Sequence, residues 1–248
     1  MSDYLEAVAS IGPGSLHPGG FTATLELLDR IPIRPDSVVL DIGCGSGRTA
    51  CYIAKKYGTH VFALDKSEKM LAKAKTRALI EGAEVNFICG DALDMPFADE
   101  VADVVLLESV LVFLPVLPVL SECRRVLKEG GVLAGIEILA GEKLSAAEKK
   151  KIERTCGLHG LFTLKEWLAA FEKAGFSSLD VKYGGLPGPA RAFKELLYPD
   201  TPLPSVSGEP FPDFKKLVTL ARYRALIIKN YRNLGFAVFL AQKRGKTA

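Results

Sequence analysis

The stretch Val38-Val-Leu-Asp-Ile-Gly-Cys-Gly-Ser-Gly-Arg-Thr-Ala50 decides how this chain folds. Its first half is an apolar run of strand length, and its second half opens a helical pattern that ends at Gly58. Between the halves lie three glycines, Gly43, Gly45 and Gly47. Glycines allow a tight turn and let the backbone approach a ligand that a Cβ would obstruct. The stretch therefore predicts a strand, a ligand-binding loop and a helix.

Two details of this loop indicate the kind of ligand. Arg48 stands at the sixth position, where the dinucleotide fingerprint needs Gly or Ala. Asp41 precedes the first glycine, and a carboxylate there favours a cationic group over a pyrophosphate. The loop therefore favours a ligand with a cationic part, and a nicotinamide-dependent dehydrogenase is the weaker alternative.

The alternation of strands and helices continues beyond the loop. Four more apolar strands are predicted, at 60–65, 85–91, 101–108 and 132–139. Helices are predicted between them, at 67–82 with Ser67 as N-cap and at a segment, 121–131, that ends at a double glycine. A short helix at 20–31, with Leu25, Leu28 and Ile31 on one face, is predicted before the first strand. Apolar strands that alternate with helices indicate a parallel sheet covered on both faces, so the predicted fold class is an open, Rossmann-like α/β sheet.

The second half of the chain is less regular. Two capping boxes, Ser145 with Glu148 and Thr163 with Glu166, predict two further helix starts. The remaining predicted elements are a strand at 177–184, a helix at about 212–233 and a strand at 235–244. Seven strands are thus predicted in all.

Polar residues follow the second and third predicted strands. Asp65 ends the second strand, and a carboxylate there can accept two hydrogen bonds from a ribose diol. Gly90-Asp91-Ala92 ends the third strand, where it is placed to hold an adenine edge. The carboxyl ends of parallel strands meet at one edge of the sheet, which is where open α/β folds bind ligands.

Bulk composition narrows the class of protein. With 248 residues and 48% hydrophobic content the chain can bury a sizeable core. It contains no apolar run long enough to span a membrane and no signal-peptide pattern, so we expect a cytoplasmic protein. Its five cysteines form no C-x-x-C pair, which indicates reduced thiols and neither a disulfide framework nor a metal site.

Three segments together resemble a known family. VLDIGCGSGRTA, then ALD, then GDALDMPF are similar to the class I methyltransferases that bind S-adenosylmethionine, and GDALDMPF is most similar to the ubiquinone/menaquinone-type small-molecule branch. The resemblance covers roughly residues 17–140. One departure is Ala102, which replaces an aromatic residue before the acid of the fourth strand. The resemblance implies a seven-stranded sheet whose last strand is antiparallel, and methyl transfer from S-adenosylmethionine to a small molecule.

The resemblance also implies roles for residues of this chain. The methionine part of the cofactor is expected at Asp41, Gly43, Cys44, Gly45 and Gly47. The ribose and adenine are expected at Asp65, Lys66, Met70, Gly90, Asp91 and Ala92, and the reacting methyl near Glu108 and Ser109. Lys66 can instead point to solvent, and Met70 can simply pack its helix.

Methyl transfer from a sulfonium needs a general base only if the acceptor arrives protonated. The candidate bases, and so the predicted catalytic residues, are Glu108 and His17. The alternatives are that Glu108 caps a helix and that His17 is a solvent-exposed loop residue. Predicted substrate contacts are Glu137, His159, Phe193, Tyr198 and Tyr223. The alternative for the aromatic members, and the more usual fate of a single aromatic residue, is to pack a lid onto the sheet.

We interpret the whole chain, 1–248, as a single methyltransferase domain. Its predicted parts are an N-terminal cap (1–36), a cofactor-binding core (37–140), the second half of the sheet (141–184), a lid insertion (185–233) and a last strand with a tail (234–248). The lid prediction rests on composition, because half of the fourteen prolines lie between residues 185 and 212.

Charge is unevenly distributed along the chain. The segment from Asp213 to the end has nine basic residues and one acidic residue, whereas the whole chain carries only +3. Such a segment suits an anionic partner or is the solvated face of a helix. An RNA or protein methyltransferase and a non-catalytic binding module stay as alternatives, although a nucleic-acid partner is disfavoured because residues 1–212 are net acidic. We expect an apolar or partly anionic acceptor. The methylated atom and the choice between monomer and homodimer stay open.

Overall fold

A computed structural model of the chain describes residues 6–7, 17–186 and 214–244, with side chains from residue 218 onward in the last range. Seven strands are found within these residues: β1 (Val38–Ile42), β2 (His60–Asp65), β3 (Asn86–Cys89), β4 (Ala102–Glu108), β5 (Leu127–Ala140), β6 (Phe176–Gly185) and β7 (Leu234–Lys243). They form one sheet in the order β3-β2-β1-β4-β5-β7-β6.

Strand direction agrees with the sequence prediction. The pairs within β1 to β5 are parallel, whereas β7 is antiparallel to both β5 and β6. The strand order places β1 between β2 and β4, with β3 at one edge of the sheet and β6 at the other. The Rossmann-like sheet with an antiparallel last strand is therefore confirmed.

Seven α-helices accompany the sheet in the described residues: α1 (Gly20–Leu28), α2 (Arg48–Tyr57), α3 (Glu68–Glu81), α4 (Val116–Val126), α5 (Ala146–Cys156), α6 (Leu164–Lys173) and α7 (Phe214–Asn230). The hydroxyl of Ser67 caps α3 by accepting from the Met70 amide, as predicted. Both predicted capping boxes, at the starts of α5 and α6, are also present.

Buried apolar side chains form two clusters. Leu40 and Ile42 of β1 belong to one cluster, while Val39 belongs to the other. Because successive side chains of a strand point to opposite faces, the two clusters cover the two faces of the sheet. Leu27 and Leu28 place α1 in the same cluster as Val39. The N-terminal helix therefore belongs to the packed core.

Three predicted helix ends were wrong. The helix expected to end at the double glycine 130–131 ends at Val126, because Leu127 turns extended and pairs with Ala102 of β4. This pairing with the sheet outweighs the local glycine stop signal. The helix predicted at 20–31 ends at Leu28, and α7 ends at Asn230 before a short 3-10 turn. No helix in the described part of the chain is both long and apolar enough to cross a membrane.

Candidate functional site

Three carboxylates meet where β1, β2 and β4 end, because these strands are neighbours and run in one direction. Asp41 is the penultimate residue of β1, Asp65 the last of β2 and Glu108 the last of β4. The charges of Glu108 and Asp65 both act to raise the pKa of Asp41. The carboxyl edge of the sheet therefore carries a concentrated negative charge.

The glycine loop lies against this edge. Gly43, Gly45 and Gly47 all have left-handed backbone, with φ of +71°, +54° and +74°. The amide of Gly43 donates to the carbonyl of Leu64 at 2.7 Å, and the amide of Gly45 donates to Oδ2 of Asp65 at 2.9 Å. The end of β2 therefore fixes the loop through both backbone and side chain.

Neighbouring side chains approach two of these glycines closely. A Cβ at Gly43 would lie 2.5 Å from Cγ2 of Val110, in the turn after β4. A Cβ at Gly47 would lie 2.8 Å from Cβ of Ala74 in α3. The loop is packed between these two elements, so its glycines satisfy steric needs of the protein as well as those of a ligand.

Asp41 precedes the first glycine of the loop by two residues, and one of its carboxylate oxygens lacks a hydrogen-bond partner among the described residues. Its side chain is buried, and Oδ2 has no hydrogen-bond partner among the described residues. Burial raises the pKa of Asp41 well above its usual range, Glu108 and Asp65 raise it further, and a backbone amide of Ala50 opposes them. A buried acceptor without a donor is unfavourable, and a cationic donor would satisfy it.

Asp65 already has one donor on each oxygen. Oδ1 accepts from the Ser67 amide at 2.8 Å, and Oδ2 accepts from the Gly45 amide. Burial raises the pKa of Asp65, and these two amides act in the opposite direction. Because a carboxylate offers about four acceptor positions, Asp65 can still bind two further donors. A ribose diol has this number of hydroxyl groups.

The predicted adenine end contains an ion pair. Lys66 Nζ donates to Oδ2 of Asp91 at 2.6 Å, while Oδ1 of Asp91 accepts from the Leu93 amide at 3.0 Å. The Lys66 hydrogen bond holds the pKa of Asp91 below its usual range. Met70 is buried, and its Cε lies 3.2 Å from the position of a Cβ at Gly45. Lys66 thus contacts a predicted adenine residue, and Met70 packs against the glycine loop.

The other predicted cofactor residues lie around the same edge. Cys44 is half-buried, and burial raises the pKa of its thiol. Gly90 directly follows β3 and is closely packed, since a Cβ there would lie 2.9 Å from Cδ1 of Leu64. Ala92 is buried, and Ser109 follows β4 with a left-handed φ of +55°. The roles of all these residues toward the cofactor stay predictions.

Glu108 is held by side chains from two helices. The Thr24 hydroxyl donates to Oε1 at 2.6 Å, and the Thr49 hydroxyl donates to Oε2 at 2.7 Å. Nε2 of His17 lies 3.1 Å from Oγ1 of Thr24 and 3.5 Å from Oε1 of Glu108. The two predicted bases are therefore in contact with each other. His17 is mostly buried, so the solvent-exposed alternative does not hold.

Sequence reasoning missed the two threonines. It placed Leu25 on the buried face of the first helix, whereas the helix buries Ala23, Thr24, Leu27 and Leu28. A threonine seven residues after a histidine, inside an apolar helix face, was the available signal. No comparable signal distinguishes Thr49, because only the fold brings it to the end of β4.

Glu137 lies inside the protein. It is fully buried in β5, and its Oε1 accepts from the amides of Val110 at 2.9 Å and Leu111 at 2.7 Å. Its Oε2 has no partner among the described residues. Burial raises the pKa of Glu137 to about 8, against the opposing effect of the backbone amides. This geometry supports the turn after β4, and a direct contact with substrate stays a prediction.

Replacing Glu137 by Gln should flatten the pH dependence of stability. Between pH 4.5 and about 8 the native Glu137 keeps its proton while the unfolded chain has lost it. The free energy of unfolding of the wild type should therefore fall as pH rises, by up to about 1.4 kcal/mol per pH unit from this group. Gln keeps the acceptor oxygen and does not titrate. Urea unfolding at pH 5.5, 7 and 8.5 measures the difference, and parallel pH profiles for the two proteins would contradict it.

The predicted substrate residues are only partly within the described residues. The amide of His159 donates to the carbonyl of Val112 at 2.7 Å, which ties the His159 loop to the turn after β4. Tyr223 is half-buried on α7 and packs against the core. Phe193, Tyr198 and most of the predicted lid lie outside the described residues. Their predicted roles remain untested.

Much of this chain is similar in sequence to known proteins. Residues 40–135 match the family model described as the methyltransferase domain. The uncharacterized methyltransferase YodH of Bacillus subtilis (strain 168) is 36% identical over 180 residues, which are 73% of this chain and 77% of that protein. Sterol 24-C-methyltransferase ERG6B of Gibberella zeae is 35% identical over 162 residues, which are 62% of this chain and 43% of that protein.

A solved structure extends the likeness to nearly the whole chain. The crystal structure of the cyclase SpnF has a TM-score of 0.77 and 21% identity, and covers 98% of this chain and 94% of that one. At this identity the likeness concerns the fold alone. The matches do not select a branch, so the ubiquinone/menaquinone-type resemblance stays a prediction. The family model and YodH nevertheless establish that this chain belongs to the class I methyltransferases, whose cofactor is S-adenosylmethionine.

Proposed function

We propose that this methyltransferase transfers the methyl group to a small, largely apolar molecule with an anionic part, at the carboxyl edge of the sheet. The observation that carries the site assignment is Oδ2 of Asp41, which is buried and has no partner among the described residues. It lies beside two other carboxylates and next to the glycine loop. The α-ammonium group of the cofactor is positively charged and carries hydrogen-bond donors, so it would supply the partner that this oxygen lacks.

The residues at this edge fit the other parts of the cofactor. Asp65 keeps two acceptor positions for the ribose hydroxyls, and Asp91, two residues beyond β3, would accept from the adenine amine. When bound, the cofactor supplies a methyl group on a sulfonium, whose leaving group is a neutral thioether. The residues of the chain then bind, orient and exclude water. Alignment of this kind lowers a barrier by about 7–11 kcal/mol.

The acceptor class rests on a relative and on charge. The sterol methyltransferase similarity is to a protein that acts, by its name, on an apolar molecule. The chain from Asp213 onward has nine basic residues, which would favour an anionic group on the acceptor. The aromatic residues predicted for the lid would supply apolar contacts. An apolar acceptor that carries a carboxylate or a phosphate combines these features.

The test is transfer of a labelled methyl group to a panel of apolar carboxylic acids, prenyl phosphates, phenolic quinone precursors and total RNA. We expect label in one of the apolar small molecules and none in the RNA. Label in RNA alone, and more of it at low salt, would support the nucleic-acid alternative. Binding of S-adenosylhomocysteine without label in any acceptor of the panel would contradict the proposed acceptor class.

A matched pair of variants connects this transfer to the site. At a cofactor concentration below saturation, Asp65→Ala should lower the labelling rate by about 10- to 100-fold, since hydrogen bonds to a charged group are lost. Asp36→Ala removes an exposed carboxylate just before β1, at the opposite edge of the sheet, and should leave the rate within twofold. Equal rates for the two variants would remove Asp65 from the cofactor site.

A further inference from the structure

We propose that Glu108 is a positioning residue that fastens the N-terminal helix α1 to α2, and that this fastening sets the affinity for the cofactor. The proposal rests on the cofactor site assigned above. The four side chains concerned, called here the Glu108 cluster, are His17, Thr24, Thr49 and Glu108. This positioning role differs from the general-base role that the sequence suggested for Glu108 and His17.

The cluster joins three separate parts of the chain at one carboxylate. Thr24 lies on α1, Thr49 lies in the first turn of α2, and Glu108 ends β4. Both hydroxyl contacts are short, 2.6 Å and 2.7 Å, and each uses a different oxygen of Glu108. These are the lengths of charge-assisted O–H···O bonds. The carboxylate therefore bridges two helices that have no direct chain connection at this point.

Counting hydrogens shows how His17 takes part. A hydroxyl has a single hydrogen, and that of Thr24 is directed to Glu108. Oγ1 of Thr24 can therefore only accept from Nε2 of His17, 3.1 Å away. Nδ1 of His17 lies 3.3 Å from the carbonyl of Pro18, which is also an acceptor. In this arrangement neither ring nitrogen directs a lone pair at a substrate.

The hydrogen bonds of the cluster are buried, which makes the loss of any one of them costly. The side chains of His17 and Glu108 are 5% and 10% exposed, and Thr24 is fully buried. A buried carboxylate that loses a donor is poorly solvated, so the cluster resists separation of α1 from α2. A second contact joins the same two helices, because the guanidinium of Arg48 lies 3.8 Å from the centre of the Phe21 ring. The position of α1 is therefore tied to the residues that immediately follow the glycine loop.

The cluster borders the cofactor site on two sides. Thr49 is two residues beyond Gly47, the last glycine of the loop. Glu108 is close enough to Asp41 for its charge to raise the pKa of Asp41. Separation of α1 would thus disturb both the start of α2 and the placement of a carboxylate beside Asp41. This is the physical reason to expect the affinity for the cofactor to follow the state of the cluster.

The test compares two threonines of the same helix. Thr24→Val keeps the volume of the side chain and removes the hydroxyl, whereas Thr22→Val makes the same change at an exposed position. In the full chain, Thr24→Val should weaken S-adenosylhomocysteine binding by about 5- to 30-fold in calorimetry. Thr22→Val should stay within twofold. Thr24→Ser restores the hydroxyl and should recover most of the affinity.

Amide hydrogen exchange in α1 separates failure of this inference from failure of the proposed function. Exchange of residues 20–28 should be faster in Thr24→Val than in Thr22→Val, with or without ligand. Faster exchange with unchanged ligand affinity would overturn the coupling, and unchanged exchange would overturn the fastening itself. If the wild type takes up no S-adenosylhomocysteine, the proposed site fails, while the exchange comparison still decides whether the cluster holds α1.

Discussion

Replacing Asp41 by Asn is expected to weaken binding of S-adenosylhomocysteine by about 30-fold or more and to stabilise the cofactor-free protein. The loss of affinity follows because the variant removes one partner of a buried, hydrogen-bonded charge pair, which usually costs about 2–5 kcal/mol. The gain in stability follows because Asp41 is buried near two other carboxylates, and Oδ2 has no partner among the described residues. Asn has the same shape and no charge.

The same carboxyl should make cofactor binding dependent on pH. The pKa of Asp41 is raised well above its usual range in the cofactor-free protein, so Asp41 stays protonated to a higher pH than an exposed carboxyl would. A cationic group favours the ionised form, so that proton must leave on binding. Affinity should therefore fall as pH decreases through the raised pKa. Asp41→Asn should remove this dependence.

Stability has the opposite dependence on pH. Since the folded-state pKa of Asp41 is raised, the native state binds more protons than the unfolded chain above the usual aspartate pKa. The free energy of unfolding therefore falls as pH rises through this window, and the variant should lack that fall. Stability and affinity are thus opposed at one side chain, which is typical of a residue that is placed for a ligand.

Asp103 provides the matched control. It lies near the start of β4, at the opposite edge of the sheet, where it accepts from the Val38 amide and from Lys128, both at 2.8 Å. Asp103→Asn should lower stability and leave affinity unchanged, the reverse of the Asp41 result. Calorimetry and urea unfolding measure both quantities. An Asp41→Asn protein that binds S-adenosylhomocysteine like the wild type would remove Asp41 from the site.

Local pattern was enough to predict the part of the site that belongs to the glycine loop. An apolar strand, three glycines and a helix are contiguous in the sequence, so their structure depends on neighbours along the chain. The positions of Asp65 and Asp91 followed from the same reasoning, because Asp65 ends β2, Asp91 closely follows β3, and parallel strands end at one edge. The family resemblance supplied the antiparallel direction of the last strand. The order of the strands was not predicted, since periodicity does not determine which strands are neighbours.

Contacts between distant segments could not be predicted in this way. Thr24 and Glu108 are separated by 84 positions, and their hydrogen bond exists only because α1 packs on the sheet beside α2. Glu137 was predicted to contact substrate because a carboxylate in an apolar strand needs a partner. Its partners turned out to be backbone amides of the turn after β4, a kind of donor that every segment has. The sequence indicates that a buried carboxylate such as Glu137 needs a hydrogen-bond partner. Only the fold determines which group that partner is.

Replacing Gly43 by Ala should lower the free energy of unfolding by about 2–5 kcal/mol. Two effects add here. The left-handed φ of +71° costs an alanine about 1–2 kcal/mol. The new methyl group would also lie 2.5 Å from Cγ2 of Val110, and overpacking of this kind costs about 1–3 kcal/mol. Cofactor affinity should fall too, because the methyl group can be accommodated only if the loop or the turn after β4 moves.

Gly58 provides a control that separates the backbone cost of a positive φ from the steric cost of the added methyl group. It has a φ of +61° at the end of α2, and a Cβ there would have no neighbour within 4 Å. Gly58→Ala should therefore show only the backbone cost, about 1–2 kcal/mol, with cofactor affinity unchanged. The double variant Gly43→Ala with Val110→Ala removes the colliding side chain. It should recover stability relative to the sum of the two single changes, as expected for residues in contact. If Gly43→Ala is no more destabilising than Gly58→Ala, the turn after β4 yields easily, and the loop is less tightly packed than these distances indicate.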